Sequence, residues 1–205
     1  MATWALVLFG VYLATAFGLR TVIQVRRTGS TGFKGLGGSP RSAEWLAGVL
    51  FAAALVAGFA APVLDAAGVL EPLAAVDGPG AHVAGFVLFA AGLGATLFAQ
   101  VAMGDSWRIG VDAGERTELV TGGPFGLVRN PIFSGMLPAS LGLALLVPNV
   151  VAVAAFLGLV VALELQTRVV EEPYLLHVHG SSYASYAARV GRFVPGVGRL
   201  PGTRA

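Results

Sequence analysis

Along the chain, long apolar runs alternate with short stretches in which Arg, Glu, Gly and Pro collect. The apolar runs fall at about 2–19, 46–64, 83–103, 132–147 and 150–167. Crossing a bilayer takes about 20 predominantly apolar residues, with a range of about 17–25. The first three runs meet that length. The last two are shorter, and only Pro148 and Asn149 separate them. Pro-Asn is a turn signal, so this pair predicts a tight antiparallel helical hairpin whose second helix continues past the bilayer. The predicted fold is an all-α integral membrane protein with five transmembrane helices, the last two forming the hairpin.

Composition supports this pattern. The chain of 205 residues is 56% hydrophobic and 12% charged, with mean hydropathy +0.78. Soluble domains carry about 25% charged residues. A soluble helical protein can share the apolar fraction but not five long runs of this kind. Cysteine is absent, which excludes disulfides, thiolate nucleophiles and Cys-ligated metals. His177 and His179, two residues apart, do not share a helix face, so no metal site is expected.

Charge placement predicts orientation. Arg20, Arg26, Arg27, Lys34 and Arg41 lie between the first and second runs, and Arg108, Arg116 and Arg129 between the third and fourth. Arg168, Arg189, Arg192, Arg199 and Arg204 follow the fifth. Five crossings put all 13 basic residues on one side, leaving Asp65, Glu71 and Asp77 on the other. The positive-inside rule then places the N-terminus outside and the C-terminus in the cytoplasm. The pI near 9.4 reflects this topology rather than nucleic-acid binding. The bias to Ala, Gly, Val and Arg suggests a GC-rich bacterial genome, and hence an inner membrane. Ala14-Thr15-Ala16 looks like a signal-peptidase site, but no positive region precedes it, so the first span is expected to be retained.

Two units are expected. Residues 1–103 carry three spans with a cytoplasmic loop at about 20–45; residues 104–205 form a catalytic half. The Gly/Ser-rich stretch 28–40 lacks a complete GxGxxG and a preceding strand, which excludes a Rossmann site. Gly85, Gly92 and Gly94 are candidates for close helix packing, within or between chains.

Candidate chemistry concentrates at the cytoplasmic edge. The stretch GPFGLVRNPIFSG, residues 123–135, carries two prolines that rule out an ordinary helix, yet it abuts an apolar run. The longer ELVTGGPFGLVRNPIFSG resembles the loop preceding the terminal hairpin of isoprenylcysteine carboxyl methyltransferases, with the pattern L-V-T-x-G-x-Y-x-x-x-R-H-P-x-Y-x-G. Downstream, RVVEEPYLLHVHGSSYASYAARVGRFVP resembles the same family's Glu-Glu pair, aromatic stripe and Arg-rich tail. The resemblance covers about residues 106–196, and membrane phospholipid and thiol methyltransferases share it.

It implies an S-adenosylmethionine pocket at the cytoplasmic mouth of the helices, formed by this loop and the C-terminal helix. Leu119 and Val120 would give the cofactor backbone and apolar contacts, and Phe125 takes a tyrosine position beside it. Arg129 falls on the pattern's arginine, and Asn130, Pro131 and Phe133 match His-Pro-x-Tyr. Glu171 matches the cofactor-binding carboxylate, with Glu172 as neighbour. Tyr183 and Tyr186, on one helix stripe with Arg189 and Arg192, would close the pocket. Arg168 falls within about a residue of the family's substrate-side arginine, and as the catalytic candidate would orient a substrate carboxylate. Asn130 replaces a histidine, Phe125 and Phe133 replace tyrosines, and His179 replaces a phenylalanine.

Plainer readings stand beside these. The Glu pair also suits a solvated helix end, and Arg168 an i,i+4 ion pair with Glu172 worth about 0.3–0.5 kcal/mol. Glu164, which also pairs formally with Arg168 at i+4, suits a cavity wall or a snorkelling acid. Trp107 reads as an interface anchor, Arg108 as a ligand for a carboxylate or an anionic lipid, and the Tyr/Arg stripe as an interfacial helix.

The expected function is S-adenosylmethionine-dependent methyl transfer, O-methylation first with S- or N-methylation also open, to a lipophilic acceptor such as an isoprenylcysteine-type carboxylate; a quinone-like or lipid hydroxyl, a small thiol and a lipid amine stay open as acceptors. In-line transfer of an activated methyl is chiefly a matter of positioning, worth up to about 7–11 kcal/mol, and this suits a chain without a nucleophile triad. The alternatives are an NADPH-dependent membrane reductase of the sterol-reductase type and a non-enzymatic membrane scaffold.

Overall fold

The computed structural model describes residues 1–32, 38–107 and 118–201. Lys34, Arg108, Arg116 and Arg204, and with them the reading of Arg108 as a ligand, lie outside these residues. Among the described residues the chain is all-helical, without strands. Four helices are long and apolar enough to cross a membrane: α1 (Ala2–Thr28), α2 (Ala43–Ala66), α3 (Pro79–Met103) and α5 (Val150–Arg189). A shorter apolar helix, α4 (Pro131–Leu146), lies between α3 and α5.

Local signals set the ends. Gly29 leaves α1 in the left-handed conformation, at φ 74°, where the missing Cβ removes the penalty. Ser42 caps α2 by accepting from the Trp45 N–H at 3.1 Å. Pro79 and Pro131 open α3 and α4, where a missing N–H costs nothing. The predicted hairpin forms at Pro148-Asn149. Buried Asn149 accepts from the Ala152 N–H at 2.9 Å and donates to the Ala61 carbonyl of α2 at 3.2 Å.

α4 is the central helix: none of its residues is exposed. Its sixteen residues span about 24 Å at 1.5 Å each, short of the roughly 30 Å hydrocarbon core. Its glycines explain how it fits. A Cβ on Gly135 would stand 2.6 Å from Thr96 Oγ1, and one on Gly142 2.6 Å from the Phe89 nitrogen. Gly85 and Gly92 of α3 face the same seam from the other side. Two backbones therefore touch along most of α4, the close packing small residues permit in membranes. Gly94, grouped with them in the sequence, is exposed with open space around it. Meanwhile Val7, Val56, Phe59, Val87, Phe98 and Leu157 point outward, as a lipid-facing surface requires.

α1 and α3 are stitched at one-turn intervals. The Tyr12 hydroxyl meets Thr96 Oγ1 at 3.0 Å, Gln100 Nε2 donates to the Ala16 carbonyl at 2.8 Å, and Arg20 Nη2 donates to the Gly104 carbonyl. Each pair is 84 residues apart in sequence. The middle contact falls in a π-helical stretch of α1, Leu13–Leu19. A second π-helical stretch, Gln166–Glu171, widens α5. Such stretches gather at functional sites, and both border the same cavity.

Candidate active site

Between the loop 118–130 and the helices lies a cavity of about 490 Å³, within the 300–1,000 Å³ usual for small-molecule sites. Its loop end is lined by Glu118, Leu119, Val120, Phe125, Arg129 and Asn130, with Glu171, Tyr174, Tyr183 and Tyr186 from α5. Its far end is almost wholly apolar: Phe17 of α1, Phe51 and Leu55 of α2, Met136 of α4, and Ala162 and Leu163 of α5. Pro131, Ile132 and Phe133 line the join between the two.

The loop holds its shape through the C-terminal segment. A 3-10 turn at Gly123–Gly126 precedes an isolated parallel bridge between Val128 and Gly191. The Arg129 and Asn130 N–H groups donate to the Gly191 and Arg192 carbonyls at 2.8 and 3.0 Å. Ser134 Oγ donates to the Phe193 carbonyl at 2.8 Å. Tyr186 donates its hydroxyl to the Phe125 carbonyl at 2.6 Å, fixing the loop to α5. Gly191 must be small, since a Cβ there would run into the Val194 carbonyl and the Gly196 nitrogen.

Beneath this lies a buried charge cluster. Glu172 is 5% exposed. Arg192 donates Nε to its Oε1 at 2.8 Å and Nη2 to its Oε2 at 3.0 Å, while Arg129 Nη2 donates to Oε1 at 2.5 Å. Bidentate pairs of this kind are among the stronger hydrogen bonds. The Glu172 carboxylate, by accepting these bonds, holds the Arg192 guanidinium above its ordinary pKa. Arg129 also donates to the Ala187, Val190 and Gly198 carbonyls, at 3.0, 2.6 and 3.0 Å. One guanidinium thus collects carbonyls left free where α5 ends.

Ten of the twelve expected site residues line the cavity: Leu119, Val120, Phe125, Arg129, Asn130, Pro131, Phe133, Glu171, Tyr183 and Tyr186. Two do not. Glu172 is turned into the charge cluster. Arg168 is not among the lining residues, and its side chain, 59% exposed, donates Nε to Glu164 at 2.5 Å. Of its two i,i+4 partners, Arg168 therefore engages Glu164 and not Glu172, because Glu172 points inward. Glu164 also stands 3.8 Å from Arg192.

Two expectations of placement are corrected. Trp107 is not a surface anchor; it is 3% exposed, lines the cavity and lies under the Arg20 guanidinium at 4.8 Å. Arg192 is not on the helical stripe of Tyr183, because α5 ends at Arg189. Its side chain folds back onto Glu172, whereas Arg189 is exposed.

Sequence reasoning missed Tyr12, Thr96, Gln100 and Glu118 as cavity residues. The available signal was Thr96 and Gln100, polar at i and i+4 within an otherwise apolar span, a placement that usually faces an interior. No group of three or more potential metal ligands occurs among the described residues.

The arrangement can hold a polar, partly cationic molecule at the loop end, where Glu118 and Glu171 supply carboxylates and Tyr174, Tyr183 and Trp107 supply rings. Aromatic faces attract cations by about 0.5–2 kcal/mol. The apolar end suits a hydrocarbon chain.

The phospholipid methyltransferase family matches residues 81–182. No curated protein matches the chain in sequence. The solved structure of the eukaryotic intramembrane Ras methyltransferase, isoprenylcysteine carboxyl methyltransferase, without a monobody, shares the fold. It superposes with a TM-score of 0.60 at 19% identity, over 95% of this chain and 68% of that one. Residues 81–182, which hold the loop, the hairpin and both glutamates, are thus similar to the phospholipid methyltransferase family of membrane methyltransferases.

Proposed function

We propose that the protein transfers a methyl group from S-adenosylmethionine to a lipophilic acceptor at the cytoplasmic face of a bacterial inner membrane. The observation that carries this reading is a single cavity with an acidic, aromatic loop end and an apolar end between helices. The fit with the cofactor rests on that lining. Glu171 and Glu118 suit the amine and ribose hydroxyls, and the tyrosine rings suit the sulfonium. Leu119 and Val120 face the loop end of the cavity, where they suit apolar and backbone contact. S-adenosylmethionine supplies an activated methyl group, so the protein's task is to hold the acceptor atom in line and keep water away. Arg129 and Glu172 hold the loop, and Tyr186 fixes its turn at Phe125. O-methylation needs no protein nucleophile, and none of the lining residues forms a triad.

In this reading α4 is a fifth span, the N-terminus lies outside and residues 104–205 carry the cofactor chemistry. The charge distribution supports that orientation. Because the chain has no cysteine, single cysteines at Asp77 and Arg189 report the two sides directly; labelling of Asp77→Cys from the cytoplasm would overturn it.

The functional test is thermal unfolding of the detergent-purified protein with S-adenosylhomocysteine, NADPH or buffer. A ligand at 100 times its Kd stabilises by about 2.7 kcal/mol. Stabilisation by S-adenosylhomocysteine that disappears in Glu171→Ala is the expected result. Stabilisation by NADPH alone assigns the cavity to a reductase, and no response from a folded sample assigns the chain to a scaffold.

A further inference from the structure

We infer that the apolar end of the cavity recognises an uncharged hydroxyl group, so that the lipophilic ligand is an alcohol rather than a carboxylate or an amine. The inference deepens the methyltransferase reading, on which its place in a reaction rests, but its evidence is separate.

Tyr12, Thr96 and Gln100 line the cavity away from the loop, among Ala16, Phe51 and Met136. All three are more than nine-tenths buried. Gln100 Nε2 donates to the Ala16 carbonyl at 2.8 Å, which fixes the amide's orientation. Its other end, Oε1, has no hydrogen-bond partner in the protein. A buried acceptor is costly to leave unpaired, so it is a natural partner for a donor brought by a ligand. The Tyr12 and Thr96 hydroxyls meet at 3.0 Å. Two hydroxyls carry two protons and their mutual bond uses one, which leaves one to donate. The cluster therefore offers an acceptor and, one helical turn away on α3, a donor, the complement of a hydroxyl.

Charge separates an alcohol from the other candidates. Among the described residues lining the cavity, the charged ones are Glu118, Arg129 and Glu171, all belonging to the loop end. Arg129 is already committed to Glu172 and three backbone carbonyls. A carboxylate or ammonium beside Tyr12 would be buried without a counter-ion, which desolvation strongly disfavours. A neutral hydroxyl avoids that cost and satisfies Gln100.

The test is competition for bound tritiated 1-tetradecanol by 1-tetradecanol, tetradecanoic acid and tetradecylamine, at constant micelle concentration and neutral pH. The expected result is saturable binding, with the alcohol displacing about tenfold better than either charged analogue, and a preference that shrinks to about twofold in Tyr12→Phe and Gln100→Leu. Should Gln100→Leu fail to fold, Tyr12→Phe, which removes only an oxygen, carries the comparison. Equal or better displacement by the acid or the amine overturns the inference. So does an absence of saturable alcohol binding, or a preference unchanged in the folded variants. S-adenosylhomocysteine binding is measured on the same sample: its failure beside an intact alcohol preference removes the methyltransferase reading and leaves the hydroxyl site standing.

Discussion

Glu172 grips Arg192 with both carboxylate oxygens, at 2.8 and 3.0 Å, from positions 20 residues apart in sequence. The same Oε1 accepts from Arg129. Removing the carboxylate leaves two buried guanidiniums facing each other, whereas removing Arg192 leaves Glu172 still paired. Glu172→Ala is therefore expected to lose about 3–5 kcal/mol, and Arg192→Ala distinctly less. Chemical unfolding in detergent measures both; a larger loss in Arg192→Ala would contradict this account of the cluster.

Glu171, one residue earlier, is expected to behave differently. It lines the cavity, so Glu171→Gln should weaken S-adenosylhomocysteine binding while leaving unfolding close to wild type. Calorimetric titration beside a melting curve separates these effects, and a variant that lost only stability would make Glu171 a second structural acid.

Arg168 supports a control. Its exposed pair with Glu164 contributes about 0–1 kcal/mol, and it stands outside the cavity lining. Arg168→Ala should leave cofactor affinity and stability within error, and a several-fold weaker Kd would return it to the site.

The seam between α3 and α4 gives a sharp contrast between glycines. Gly135→Ala places a methyl against Thr96 and is expected to cost about 1–3 kcal/mol or more by overpacking. Gly94→Ala meets open space and should stabilise α3 by up to about 1 kcal/mol. Melting temperatures moving in the same direction for both would show that the seam is not tight.

Asn149 tests the hairpin. Asn149→Ala removes a helix cap and the bond to Ala61 at once, with an expected loss of about 1–3 kcal/mol. Asn149→Asp retains the cap alone and should recover part of it.

Much of this was legible in the sequence, for identifiable reasons. Lipid demands continuous apolar runs, so α1, α2, α3 and the hairpin at Pro148-Asn149 stand out by length and punctuation. The loop at 118–130 was legible because Pro124 and the glycines around it interrupt any α-helix before Pro131 opens α4, and ten expected site residues do line one cavity. The remainder depended on contacts that periodicity does not carry. Whether Glu171 or Glu172 faces the cavity turns on the π-helical stretch at Gln166–Glu171, which offsets the helix register. Trp107 reads as interfacial until Arg20, 87 positions earlier, is seen to cover it. Arg192 reads as helical because nothing in the sequence up to Val190 announces the stop; the bonds that the Gly191, Arg192 and Phe193 carbonyls accept from Arg129, Asn130 and Ser134 do. Tyr12, Thr96 and Gln100 belong to two separate helices, so their cluster exists only in the folded chain.

The clamp of the loop by residues 187–198 also has a consequence for biogenesis. Synthesis delivers Arg129 to the membrane some 43 residues before Glu172 and 69 before Gly198. Every apolar helix can thus be inserted while the loop still lacks the partners that shape it. Competence for ligand should therefore lag behind insertion, and a released chain truncated after residue 186 would carry its apolar helices yet be unable to form the loop end of its cavity.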